Sequence, residues 1–202
     1  METSFPLAYL AALAAVYLTP GPDMALVMAT SAASGFRAGL VSSAGIAAAR
    51  FLHVMVSGFG LAAVLSAHPA LFQAVRAGGA AYLLWLAWKL WRSHPGGEGA
   101  AGRDPSPGGT LLRGFLTNLL NPKALLFCAM LLPQFVSPDK GPLLSQFAWL
   151  GALLVGTGWL FDCAYALGAS GLARRVHASR GRAGQRALGL VFAALALRLA
   201  AG

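Results

Sequence analysis

The run LLSQFAWLGALLVGTGWLFDCAYALGASGLA, residues 143–173, carries a single charged side chain, Asp162. A helix that crosses a bilayer needs about 20 consecutive, mostly apolar residues, and a helix apolar all round its circumference has no face to offer water. The run therefore predicts a membrane helix. The rest of the chain agrees with it: 57% of the 202 residues are hydrophobic and 10% charged, and mean hydropathy is +0.66. Soluble domains are nearer half apolar and a quarter charged. A water-soluble globule is excluded, and the apolar residues suffice for five or six spans.

Working outward with a window of about 19 residues gives six candidate spans: Phe5 to Ser31, Gly39 to Leu65, Ala70 to Trp91, Leu111 to Val136, Leu143 to Ala173 and Gln185 to Ala200. Phe5 to Leu18 lacks the basic leader of a signal peptide, because only Glu2 precedes it as a charged residue. It is read as part of a retained first span. Ser93 to Gly109 is rich in Pro, Gly and Ser with no apolar period, which predicts a flexible linker. The predicted organisation is residues 1–92 as three helices, 93–109 as a cytoplasmic linker and 110–202 as three more helices.

The formal charge of +9 does not point to nucleic acid, since the basic residues lie between apolar stretches rather than on one soluble face. They report orientation instead, because Lys and Arg in short connections resist translocation. Arg37, Lys89, Arg92, Arg103, Arg113, Arg174, Arg175, Arg180, Arg182 and Arg186 fall on one side, against Lys140, Arg198 and Arg76 on the other. Ten against three places the odd-numbered connections in the cytoplasm and both termini outside. Tyr82, Trp85, Trp88 and Trp91 beside Lys89 and Arg92 form the aromatic and basic belt expected at a membrane interface. Cys128 and Cys163 lie within apolar segments and read as small hydrophobes.

Two interruptions carry the chemistry. Thr19-Pro20-Gly21-Pro22-Asp23 breaks span one, and Asn118-Leu119-Leu120-Asn121-Pro122-Lys123 breaks span four, with Pro22 and Pro122 offset by 100 residues. Three spans per half make the halves enter the membrane from opposite sides. A true repeat would be inverted, and matched Gly/Pro breaks in such halves point to a transporter binding site. Proline removes an amide donor and frees carbonyls that hydrocarbon cannot satisfy. An ionisable group at that depth costs at least about 2.5–3.5 kcal/mol, so Asp23 and Lys123 are expected to face a wet cavity together with Gly21, Pro22, Asn121 and Pro122.

Arg50 and His53 are three apart, hence on one helical face. Two readings stand for Arg50: an ion pair with Asp23 or Asp162, or a fork for a substrate carboxylate. His53 is either a proton relay or a hydrogen-bonded structural imidazole. Asp162 follows Gly156-Thr157-Gly158, small residues that let helices approach, and is either a buried ion-pair partner or a proton carrier. Asp23, His53 and Asp162 are the candidates for proton coupling. His53, His68, His94 and His177 show no ligand spacing such as two His four apart. No metal, cofactor or hydrolase is expected; a non-transporting membrane scaffold is the alternative, although it has no need of opposite charges at paired breaks.

Pro20-Gly21-Pro22, Gly35-Phe36-Arg37-Ala38-Gly39-Leu40, Gly79-Ala80-Ala81-Tyr82-Leu83 with Trp85-Leu86, and Gly114-Phe115, Asn118-Leu119 and Asn121-Pro122-Lys123 leading to Pro133-Gln134-Phe135 resemble the LysE/RhtB family of bacterial amino-acid exporters. The resemblance covers most of the chain. It implies an all-α, polytopic protein of the bacterial plasma (inner) membrane, exporting amino acids or their derivatives against the proton gradient. The expected partners are an amino-acid-like solute, protons and the lipid bilayer, with a homodimer left open. The resemblance supports Gly21, Pro22 and Asp23, and Asn121, Pro122 and Lys123, as the two broken-helix elements. His53 and Asp162 fall where many relatives have His and Asp. Arg50 departs from the family pattern, and Tyr165 lies a turn before the position where relatives carry a tyrosine.

Overall fold

A computed structural model describes residues 4–60, 67–92, 106–175 and 182–201. Among these residues it contains eight α-helices and no strand. The first expected span is two helices, α1 (Ser4–Leu18) and α2 (Pro22–Ser34), bent by 58°. Pro22 sits at the start of α2, where a missing N–H leaves no helical bond unmade. Helix α2 runs on past the expected Ser31 and stops at Gly35, whose φ of 87° is a left-handed angle that favours glycine. That single residue makes the corner into α3 (Phe36–Gly58), so α3 starts three residues before the expected Gly39. Its expected end at Leu65 lies outside the described residues.

Helix α4 (Pro69–Arg92) matches the third expected span. Helix α5 (Pro107–Leu119) begins earlier than Leu111 because the Ser106 side chain accepts from the Gly109 N–H at 3.2 Å and caps it. The end of the stretch read as linker is thus helical start, while residues 93–105 lie outside the described residues. Helix α6 (Pro122–Phe135) follows at a bend of 55°. It opens as an α-turn, widens to a π-turn over Phe127–Leu131 and tightens to a 3-10 turn over Leu132–Phe135. Helices α7 (Leu143–Arg175) and α8 (Arg182–Ala201) complete the chain.

By length and apolarity, α3 and α7 qualify as membrane spans, and the bent pairs α1–α2 and α5–α6 bring the candidates to four among the described residues. Helices α4 and α8 are not among these four; the apolar stretch described within α8 is Gly189–Arg198. These two pack on each other: Leu83, Leu86 and Ala87 meet Phe192 and Ala196, with Leu26 and Ala29 of α2 beside them. Arg76 donates to the Ala200 carbonyl near the end of α8 at 2.8 Å. Trp85, Trp88 and Trp91 face outward, and the Arg92 guanidinium lies 4.5 Å over the Trp88 ring.

The central packing joins α3 to α5 and α7, and α2 to α7. At the crossing of α3 and α5 two glycines face opposing backbones. A Cβ on Gly45 would lie 2.0 Å from the Leu111 carbonyl oxygen, and one on Gly114 would lie 2.0 Å from that of Ser42. Only glycine permits so close a crossing. A second core gathers Tyr9 and Leu13 of α1, Val54 of α3, Phe127, Cys128 and Leu132 of α6, and Phe147, Leu150 and Leu154 of α7.

Candidate functional site

Both helix breaks open on one cavity. At the first, Gly21 is extended (φ −159°, ψ 178°), Pro22 begins α2 and Asp23 lies in its first turn, where the helix dipole favours an anion. The carboxylate is held from the second break: Asn118 donates to Oδ2 at 2.6 Å and Asn121 to Oδ1 at 3.2 Å. Asn121 also caps α6, its Oδ1 accepting from the Lys123 N–H at 3.1 Å. One amide therefore starts a helix and steadies a carboxylate of another.

Lys123 reaches back in the opposite sense. Its ammonium donates to the carbonyls of Val16 and Thr19, the latter at 2.8 Å. These belong to the last turn of α1 and the residue after it, where carbonyls lack intrahelical partners, and a cation there also meets the negative end of the dipole. Among the described residues, Asp23 and Lys123 make no ion pair within 4 Å of each other. Each faces the cavity from its own anchorage.

The third charged element is deeper. Arg50 of α3 donates to Asp162 of α7 from Nη1 at 2.8 Å and from Nη2 at 3.3 Å, and Ser43 donates to the same carboxylate at 2.8 Å. Asp23 lies 3.8 Å from Nη2. Both ion-pair partners weighed for Arg50 are thus engaged, Asp162 closely and Asp23 loosely. The guanidinium also lies 4.9 Å over the Tyr17 ring, and Tyr17 is fixed by donating to the Leu154 carbonyl at 2.7 Å. Gly158 makes room for it, since a Cβ there would stand 2.4 Å from Nη1. Tyr165 donates to the Tyr17 carbonyl at 2.8 Å, tying α7 to the same break.

His53 is buried beside the Leu119 backbone, and among the described residues neither its Nδ1 nor the Asn118 Oδ1 has a hydrogen-bond partner. Both residues line the cavity. Buried polar atoms left unpaired are costly, so these two mark where a polar ligand or water gains a bond. The cavity is partly open to its surroundings and its volume is about 50 Å³, room for a few waters. Of the residues singled out from the sequence, Gly21, Asp23, Arg50, His53, Asn121, Lys123 and Asp162 line it. Pro22 and Pro122 are not among the lining residues; they are the first residues of α2 and α6. Asn118, Tyr17, Ser43 and Gly158 were not singled out as site residues. Asn118 had one available signal, a second amide one turn before Asn121.

A family model for the LysE type translocator matches residues 14–202. The chain belongs to the LysE translocator family. As a LysE-family protein it is a membrane transporter and not an enzyme. It is 32% identical over 194 residues to the homoserine/homoserine lactone efflux protein of Salmonella typhimurium, covering 93% of this chain and 90% of that protein. It is 30% identical over 198 residues to a leucine efflux protein of Klebsiella pneumoniae, covering 96% and 93%. An uncharacterized membrane protein of Escherichia coli, YahN, is 29% identical over 186 residues. No solved structure matches this LysE-family chain.

Proposed function

We propose that this LysE-family protein exports amino acids or closely related small metabolites across the bacterial plasma membrane. It does so as a secondary transporter, by proton antiport with alternating access. The observation that carries the reading is the cavity at the two breaks, where a carboxylate and an ammonium face one space without pairing with each other. A zwitterion satisfies both, its ammonium on Asp23 and its carboxylate on Lys123. Unpaired backbone groups at the helix ends add partners for the same two ends of the solute. The names of the relatives, efflux proteins for homoserine, its lactone and leucine, agree with a solute of this kind.

Protonation of Asp23, His53 or Asp162 couples the gradient to the motion. The moving parts are two inverted three-helix repeats, residues 1–92 and 110–202, joined by the 93–109 linker in a six-span protein. The nearly equal bends of 58° and 55° support this, as does the packing of α3 on α5 and of α7 on α2, two contacts between spans that a two-fold exchange of the halves would interchange. The test is flux. Proteoliposomes loaded with labelled homoserine or leucine should drive it uphill under an imposed pH gradient and stop when a protonophore is added. Uphill transport indifferent to the protonophore would remove proton coupling, and absence of flux with any amino acid would remove export.

A further inference from the structure

The Arg50 guanidinium occupies a place suited to a cation. One carboxylate, Asp162, takes both of its terminal nitrogens; a second, Asp23, stands at 3.8 Å; the Tyr17 ring covers its face; and Gly158 leaves a notch that a single methyl would fill, 2.4 Å from Nη1 and 2.8 Å from the Tyr17 hydroxyl. Paired carboxylate oxygens, an aromatic face and a fitted recess are what recognition of a free guanidinium uses. The group is continuous with the cavity, which Arg50, Tyr17 and Asp162 all line. Charge agrees: Asp23 and Asp162 are matched by Arg50 and Lys123, so the cavity suits a solute without net charge.

We infer that Arg50 fills, with its own side chain, a guanidinium-binding subsite of the translocation cavity, and so reserves the cavity for neutral amino acids while shutting out basic ones. The inference rests on the export reading for its biological meaning, but the subsite itself is a property of binding. Removing Arg50 leaves one carboxylate in excess and a recess of the right shape for the side chain of arginine.

The experiment uses purified full-length Arg50→Ala protein in detergent, with Arg50→Ser as a second variant that frees the same carboxylate and the same recess. Thermal unfolding midpoints are measured against millimolar guanidinium chloride, L-arginine and sodium chloride. In either variant guanidinium and arginine should raise the midpoint saturably where sodium does not. Wild type should not respond, and adding Asp162→Asn to the variant should erase the response. In proteoliposomes, arginine efflux should rise about tenfold or more over wild type, the scale of one charge-assisted hydrogen bond. No guanidinium-specific shift in either variant, with wild-type leucine or homoserine flux intact, overturns the inference and spares the export reading. No amino-acid flux in wild type strikes the export reading alone, because the thermal shifts still decide the subsite.

Discussion

Gly45→Ala and Gly114→Ala test whether the crossing of α3 and α5 sets the geometry of the cavity. The atoms that each new methyl meets are backbone: Leu111 O at 2.0 Å and Phe115 N at 2.8 Å for Gly45, and Ser42 O at 2.0 Å for Gly114. No rotamer change relieves them. Moving from 2.0 Å to ordinary contact at 3.4 Å separates the helices by about 1.4 Å. Overpacking costs about 1–3 kcal/mol, a rigid contact belongs near the top of that range, and the better helix propensity of alanine offsets about 0.5–1 kcal/mol. The net of about 2 kcal/mol lowers the unfolding midpoint by about 4–8 °C at the 2–4 °C per kcal/mol of a chain this size. Asn118 lies one turn beyond Gly114, and its 2.6 Å bond to Asp23 does not survive a shift of that size, so efflux should fall as well. Gly168→Ala, where nothing lies within 4 Å of the new methyl, is the control and should match wild type or exceed it slightly. The double variant should cost less than the two singles together, since one separation relieves both clashes. Midpoints and efflux for Gly45→Ala and Gly114→Ala equal to those of Gly168→Ala would refute the close crossing as a determinant of the site.

Asp23→Asn and Lys123→Met should each abolish efflux while the protein remains inserted, whereas Arg37→Ala, at an exposed position, should transport normally. Because the two charges hold different partners, the exchanged pair Asp23→Lys with Lys123→Asp should stay inactive; recovered flux would show that they pair directly. A reporter fused after Gly202 should be active only as a periplasmic enzyme, and one inserted within residues 96–108 only as a cytoplasmic fluorophore. The reverse pair of results would sink the six-span topology. Tyr17→Phe removes the bond to the Leu154 carbonyl and should lower the unfolding midpoint by about 1–6 °C, from about 0.5–1.5 kcal/mol per hydrogen bond; an unchanged midpoint would show that this hydroxyl holds nothing.

The breaks were legible in the sequence because proline acts on its own turn. Pro22 and Pro122 start helices wherever the chain goes next, and their charged neighbours follow them into the same space. Helix ends were less legible. A single glycine, Gly35, makes the turn between α2 and α3, where hydropathy suggested a longer gap, and Ser106 extends α5 backward through a local cap. The partners of the charges were beyond reach. Lys123 finds its acceptors at the end of a helix more than a hundred residues earlier, and Arg50 lies 2.8 Å from Asp162 but 3.8 Å from Asp23, with Gly158 leaving room beside its Nη1. Gly158 was noticed only as a small residue, and its use depends on how α3 and α7 cross.

The holding of Asp23 by Asn118 and Asn121, and of the end of α1 by Lys123, bears on how the chain is made. When the first broken helix leaves the ribosome, the amides that will seat its carboxylate and the cation that will close its carbonyls are about a hundred residues away, still untranslated. Lipid supplies neither. The nascent segment therefore has no finished resting place in the bilayer until the second break arrives, and it must wait in a watery or protein-lined setting during insertion. Insertion of the first segment and completion of its fold are separate events, divided by the time needed to synthesise everything up to Lys123.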